Sequence, residues 1–147
     1  MESIFRFLLV SFLFISCQQN IKHEDITKIN GYWEIEKVVF EDGKDKAYTI
    51  NESYDYFYID RDNFGFRKKV MPQLDGSFIV NDSYENLKVK FEKDRVLFYY
   101  KTAYAKWSEE LIEITDDKMV FVNAQKKEYH YKKVSPINII GDGKKTK

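Results

Sequence analysis

The sequence predicts an all-β domain, an antiparallel up-and-down meander of about eight to ten strands closing into a barrel and preceded by a signal-peptide helix. Three observations carry this reading. Strand-like runs recur roughly every ten residues from Gly31 to Val134, separated by turn chemistry. The connections are short, which favours antiparallel neighbours. Finally, 44% of the residues are hydrophobic and 17% aromatic, enough to fill one core in a chain of 147 residues.

The runs follow in order. Gly31 to Phe40 is the first, ended by a turn at Glu41-Asp42-Gly43-Lys44. Tyr54 to Asp60 is dense in aromatics, and Arg61-Asp62-Asn63 turns into Phe64 to Met71. In that strand Phe64, Phe66, Lys68 and Val70 share one face. Pro72 lacks a backbone donor and ends it or marks an edge. Asp75-Gly76 opens Ser77 to Val80. Leu87, Val89 and Phe91 alternate with Lys88, Lys90 and Glu92, the cleanest period-two signal of the chain. Arg95 to Tyr104, Trp107 to Thr115, Met119 to Asn123 and Glu128 to Val134 complete about nine strands. Short helical turns are expected at most at Asn51 to Tyr54 or Ala103 to Glu110.

Charge and composition exclude several classes. Lys plus Arg and Asp plus Glu both number 24, so the basic surplus of a nucleic-acid binder is missing. One cysteine forms no intramolecular disulfide and no multi-cysteine zinc site. No metal or cofactor motif is found, and no catalytic residues are assigned. Glu109-Glu110 and Asp116-Asp117 are adjacent acids, which point to opposite faces of a strand or sit in a turn. His130 reads as a strand surface residue, and His23 as part of a polar lead-in.

Residues 1–16 read as an address. Phe7 to Ser16 (FLLVSFLFIS) carries no charge, but at ten residues it is half the ~20 needed to span a bilayer. It fits the apolar core of a signal peptide. Phe14-Ile15-Ser16-Cys17 resembles the lipobox of bacterial lipoproteins. The resemblance implies acylation of the Cys17 thiol, cleavage on its amino side, and a membrane partner held through that lipid. Residues 17–28 are then a flexible tether reaching at most ~40 Å. Residues 136–147 form a basic C-terminal tail. Gln18, Gln19 and Asn20 lack the acidic run that the resemblance associates with surface export in Bacteroidetes. The expected location is therefore the cell envelope, at the outer membrane facing the periplasm.

Gly31-Tyr32-Trp33, opening the first strand, resembles the Gly-x-Trp signature of lipocalins. Ile112 to Phe121 and Tyr129 to Val134 resemble the closing hairpins of small lipocalin-like lipoproteins of Bacteroidetes. The resemblance implies a lipocalin-like barrel over residues 29–135. In it Gly31 permits close backbone approach and Trp33 plugs the closed end. Lipocalins often stack a basic side chain of a late strand on this Trp, and Lys132 or Lys133 is what this sequence offers.

A barrel of this size holds at most one small ligand. The expected lining is Phe57, Phe64, Phe66, Phe78 and Phe91, with Tyr129 or Tyr131 supplying a hydroxyl, because the more apolar face turns inward. The expected function is non-covalent binding of a small apolar or amphipathic ligand without catalysis. The alternative is a filled barrel that acts as a protein-interaction or structural module on an envelope partner.

Overall fold

A computed structural model describes residues 19–135 apart from Asn81. Cys17, the expected signal segment 1–16 and the expected tail 136–147 lie outside the described residues. Ten strands follow a short 3-10 helix at His23–Ile29. They are β1 (Gly31–Val39), β2 (Asp45–Ala47), β3 (Tyr54–Ile59), β4 (Phe64–Pro72), β5 (Phe78–Val80), β6 (Glu85–Glu92), β7 (Arg95–Lys101), β8 (Lys106–Ile114), β9 (Lys118–Asn123) and β10 (Glu128–Val134). Eight of them close a barrel in the order β1-β3-β4-β6-β7-β8-β9-β10, sealed by β10 against β1. Every pairing is antiparallel. β2 pairs with β1 and β5 with β4, both outside the ring.

The pleat decides what fills the barrel, because directly paired residues share a face. Phe57 pairs with Arg67, Arg67 with Glu85, Leu87 with Tyr100, Tyr100 with Trp107, and Leu111 with Phe121. Phe121 pairs with Tyr129, Tyr131 with Ile35, and Trp33 with Asp55. The chain of partners closes on itself with one face inside. Two bulges, at Ile35/Lys37 and Leu111/Glu113, keep Val38 and Ile114 buried on that face after the parity changes.

The middle of the interior is aromatic. Phe57 lies parallel to Phe121 at 6.1 Å, and Phe98 and Tyr131 meet Phe121 edge-on at 4.9 and 6.3 Å. Each such ring contributes about 1.5–3 kcal/mol by leaving water. Towards the 3-10 helix the filling turns aliphatic, with Ile59, Val89, Val96, Leu111, Ile114 and Met119 all buried.

Residues 19–28 are not a free tether. Ile21, Ile26 and Ile29 are buried in the core and close one end of the barrel. The Gln19 amide bonds both backbone groups of Ile114, at 2.9 Å to its oxygen and 2.8 Å from its nitrogen. Ile21 stands before the helix, and Ile26 and Ile29 lie three residues apart on one side of it, among letters that are otherwise mostly polar. Ala103 to Glu110 is likewise no helix. Thr102 and Ala105 form a tight turn (2.9 Å), and Lys106 begins β8. β2, only three residues long and exposed, has no sequence period to announce it.

Candidate functional site

The closed end is built on Gly31 and Trp33. Trp33 is fully buried, and its Nε1 donates to the Ile29 carbonyl at 2.6 Å. The Lys133 Nζ sits 5.2 Å from the Trp33 ring and donates to the Lys28 carbonyl at 2.8 Å. Gly31 has φ +129°, and a Cβ there would stand 3.2 Å from the Lys133 side chain. A larger residue would be strained in its backbone and would crowd the lysine off the ring. Lys132 instead pairs with Glu34 at 3.0 Å.

At the other end the inward face changes character. Asp55, Arg67, Glu85 and Glu109 all point into the barrel, ringed by Tyr100, Trp107, Tyr129 and Tyr131. The Arg67 Nε bonds Glu85, and its second nitrogen lies 3.6 Å from Glu109. The guanidinium stacks over Tyr100 at 4.4 Å and approaches Phe57 at 5.9 Å. Asp55, only 2% exposed, is held by Lys69 at 2.7 Å.

Electrostatics follow from that packing. Burial opposes the Arg67 charge, but the Glu85 and Asp55 carboxylates beside it hold the guanidinium firmly protonated. Burial raises the Glu109 carboxyl above the usual range, and Arg67 offsets only part of this. Burial likewise pushes the Tyr100 and Tyr131 hydroxyls far up, so both remain neutral donors. A pocket of about 160 Å³ opens onto the cluster between β4 and β6, lined by Arg67, Lys69, Ser83, Tyr84, Glu85 and Thr102.

Of the expected lining residues, Phe57 and Tyr131 are buried inside and meet at 6.4 Å. Tyr129 is inward and half-buried, its hydroxyl 3.4 Å from Asn123. Phe91 is inward too, but at the closed end, where it stacks on His23 at 3.7 Å. Phe64, Phe66 and Phe78 do not line the interior. Phe64 is 48% exposed on the outer wall. Phe66 joins Tyr56, Tyr58 and Tyr84 outside, and Phe78 stacks on Tyr32 at 4.3 Å.

The cause is the turn between β3 and β4. Asp60 Oδ1 accepts from the backbone N–H groups of Asp62 and Phe64, and Asn63 takes φ +64°. This fixes Ile59 against Gly65 and Phe57 against Arg67. With Phe57 inside, Gly65 and Arg67 must be inside as well, and Lys69 follows on the same face at the exposed mouth. Gly65 fits because it has no side chain: a Cβ would fall 1.8 Å from the Tyr58 carbonyl oxygen. Arg67 is the residue that sequence reasoning missed. Its signal was the turn length, which pairs it with Phe57, not the hydrophobicity of its strand.

Among the described residues no cluster of His, Cys, Asp and Glu is placed to hold a metal ion. No described helix is long and apolar enough to cross a membrane.

An eight-stranded antiparallel barrel with one end plugged by a short helix and a buried Trp is a lipocalin-like architecture, a binding-type fold. Residues 29–121 match the model of the lipocalin-like domain, and the chain belongs to that family. Among solved structures it is similar to a lipocalin-like protein from Bacteroides uniformis, with a TM-score of 0.48 and 8% identity over 73% of this chain and 99% of that one. It is also similar to an uncharacterized protein from Bacteroides eggerthii, with a TM-score of 0.45 and 14% identity over 71% and 98%. No curated protein matches it.

Proposed function

We propose that this chain is a lipid-anchored envelope protein that binds a small amphipathic ligand at the open end of its barrel without transforming it. The observation that carries the reading is Arg67, enclosed by the barrel wall with three carboxylates at hand. A barrel interior selected for stability alone would be apolar, since buried ion pairs seldom repay their desolvation. Clustered, desolvated charges in a cleft mark a binding site. The ligand's polar end enters the pocket at Arg67 and Glu85, and its apolar part lies over the rim. Ile50, Leu74 and Tyr104, in open-end loops, are 87%, 71% and 99% exposed there.

The anchor is the lipid on Cys17, supported by the uncharged run that ends in Ser16-Cys17. Two residues of chain reach at most ~7 Å from Gln19. Because Gln19 is pinned to Ile114 at the closed end, that end rests at the membrane and the mouth faces the periplasm. The filled closed half favours a second reading, an interaction module whose exposed open-end loops seat an envelope protein.

Two measurements test these readings. Fatty-acid labelling should mark the wild type and vanish in Cys17→Ser; retained label refutes the anchor. Native mass spectrometry of protein purified from its own host should show a small retained mass that Arg67→Met loses. A ligand-free wild type that co-purifies with one stoichiometric protein would favour the interaction module.

A further inference from the structure

The outer wall carries a second groove, distinct from the Arg67 pocket, although Leu87, Tyr100 and Trp107, whose side chains face inward, also border it. Strands β4, β6, β7 and β8 expose a groove of about 530 Å³ whose outward side chains include Phe64, Lys88, Tyr99, Lys101, Lys106 and Ser108. Its floor is apolar: Phe64 is half exposed, and Phe64 and Tyr99 both flank Lys88 through the strand register. Its rim is basic, with Lys88, Lys101 and Lys106 all exposed. No acidic residue lines it. Of the acids near this face, Glu92 accepts from the hydroxyl of Tyr99, a groove residue, at 3.2 Å, and Glu110 pairs with Arg95 at 2.9 Å. Among the described residues none of the three lysines is in an ion pair. Lys88 lies instead over the Phe64 ring at 4.6 Å, and Lys90 continues the pattern over Tyr99 at 5.0 Å.

We infer that this groove binds a single-chain anionic amphiphile, a long-chain carboxylate taken up as a monomer. An acid-free rim of three lysines is complementary to an anionic head, and the apolar floor is complementary to one alkyl chain. The volume falls in the ~300–1,000 Å³ range of small-molecule sites. The lysines supply charge without being buried, so binding weakens as salt screens them.

Calorimetric titration of the purified protein with laurate below its micelle concentration tests this. Saturable one-to-one binding is expected, with uncharged monolaurin about tenfold weaker. The Lys88→Gln/Lys101→Gln/Lys106→Gln variant should lose about tenfold in laurate affinity at an unchanged melting temperature. Phe64→Ser, which removes the floor and keeps the charge, should weaken laurate and monolaurin alike. Equal affinity for the two probes, wild-type affinity in the lysine variant, or no saturable binding overturns the inference. Binding to phosphatidylglycerol vesicles but not to laurate also overturns it and makes the groove a membrane contact.

Discussion

The two halves of the barrel interior are made of different chemistry. Beside the 3-10 helix, Ile29, Trp33, Ile114 and Met119 show no exposure, and the buried Trp33 Nε1 is bonded to the Ile29 carbonyl. Toward the mouth, Asp55, Arg67, Glu85 and Glu109 stand on the same inward face. The same strands run through both halves, and the two bulges keep one face inside throughout, so the fold does not impose the contrast. Burial of hydrocarbon stabilises the first half directly. The second half gives up stability to hold charges in fixed positions, which is what recognition of a polar group requires.

The largest effect is expected where the closed half is broken. Trp33→Ala removes the biggest fully buried side chain, its hydrogen bond and the ring under Lys133. A loss of about 3–5 kcal/mol is expected in denaturant unfolding, a large share of the ~5–15 kcal/mol typical of a domain. An unchanged midpoint would mean that the helix and strands close that end without the plug.

A smaller loss is expected from the open half, and its pattern matters more than its size. Arg67→Ala leaves Glu85 and Glu109 without their cation. The cost should be about 2–3 kcal/mol, below the ~3–5 kcal/mol of a fully enclosed pair because the pocket admits water. Replacing the set with hydrocarbon, as Arg67→Met/Glu85→Leu/Glu109→Leu, should restore wild-type stability or exceed it. If that triple variant is as unstable as Arg67→Ala, the charges are structural and the contrast between the halves loses its functional meaning.

The two halves also differ in how legible they were. The closed half follows from local pattern: the Gly31-Tyr32-Trp33 opening and the alternation of Leu87, Val89 and Phe91 place their side chains without reference to another strand. The open half does not. Whether Phe66 or Arg67 enters the barrel depends on the hydrogen bonds of Asp60 in one turn, and a slip of one residue exchanges the faces of the whole strand. Judged by hydrophobicity Phe64 and Phe66 belong inside, and only the pairing of Phe57 with Arg67 says otherwise. Glu109 was legible in part. Its neighbour Glu110 had to face the other way, but nothing local chose which of the two went in. Residues 19–28 are illegible for the opposite reason, since Ile21 and Ile26, with Ile29 just after them, are informative only once there is an open barrel end to cover.

The smallest effect, and the sharpest on the comparison, is the pH dependence of the open half. Burial raises the folded-state affinity of Glu109 for a proton above its unfolded value. A group of this kind contributes stability that is fully present below the unfolded pKa and is lost as pH rises through the folded one. The wild type should therefore give up stability from Glu109 between the ordinary glutamate range and the raised value, the reverse of what a paired surface carboxylate does. Glu109→Gln mimics the protonated form and keeps the shape, so it removes this slope. Relative to wild type the variant should gain stability between acidic and neutral pH, and the gain should level off once Glu109 is fully ionised. Thermal unfolding of both proteins from pH 4 to pH 8 reads the difference directly. A constant difference across that range would mean that Arg67 compensates the Glu109 charge completely, and the mouth would then be as settled electrostatically as the closed end is by packing.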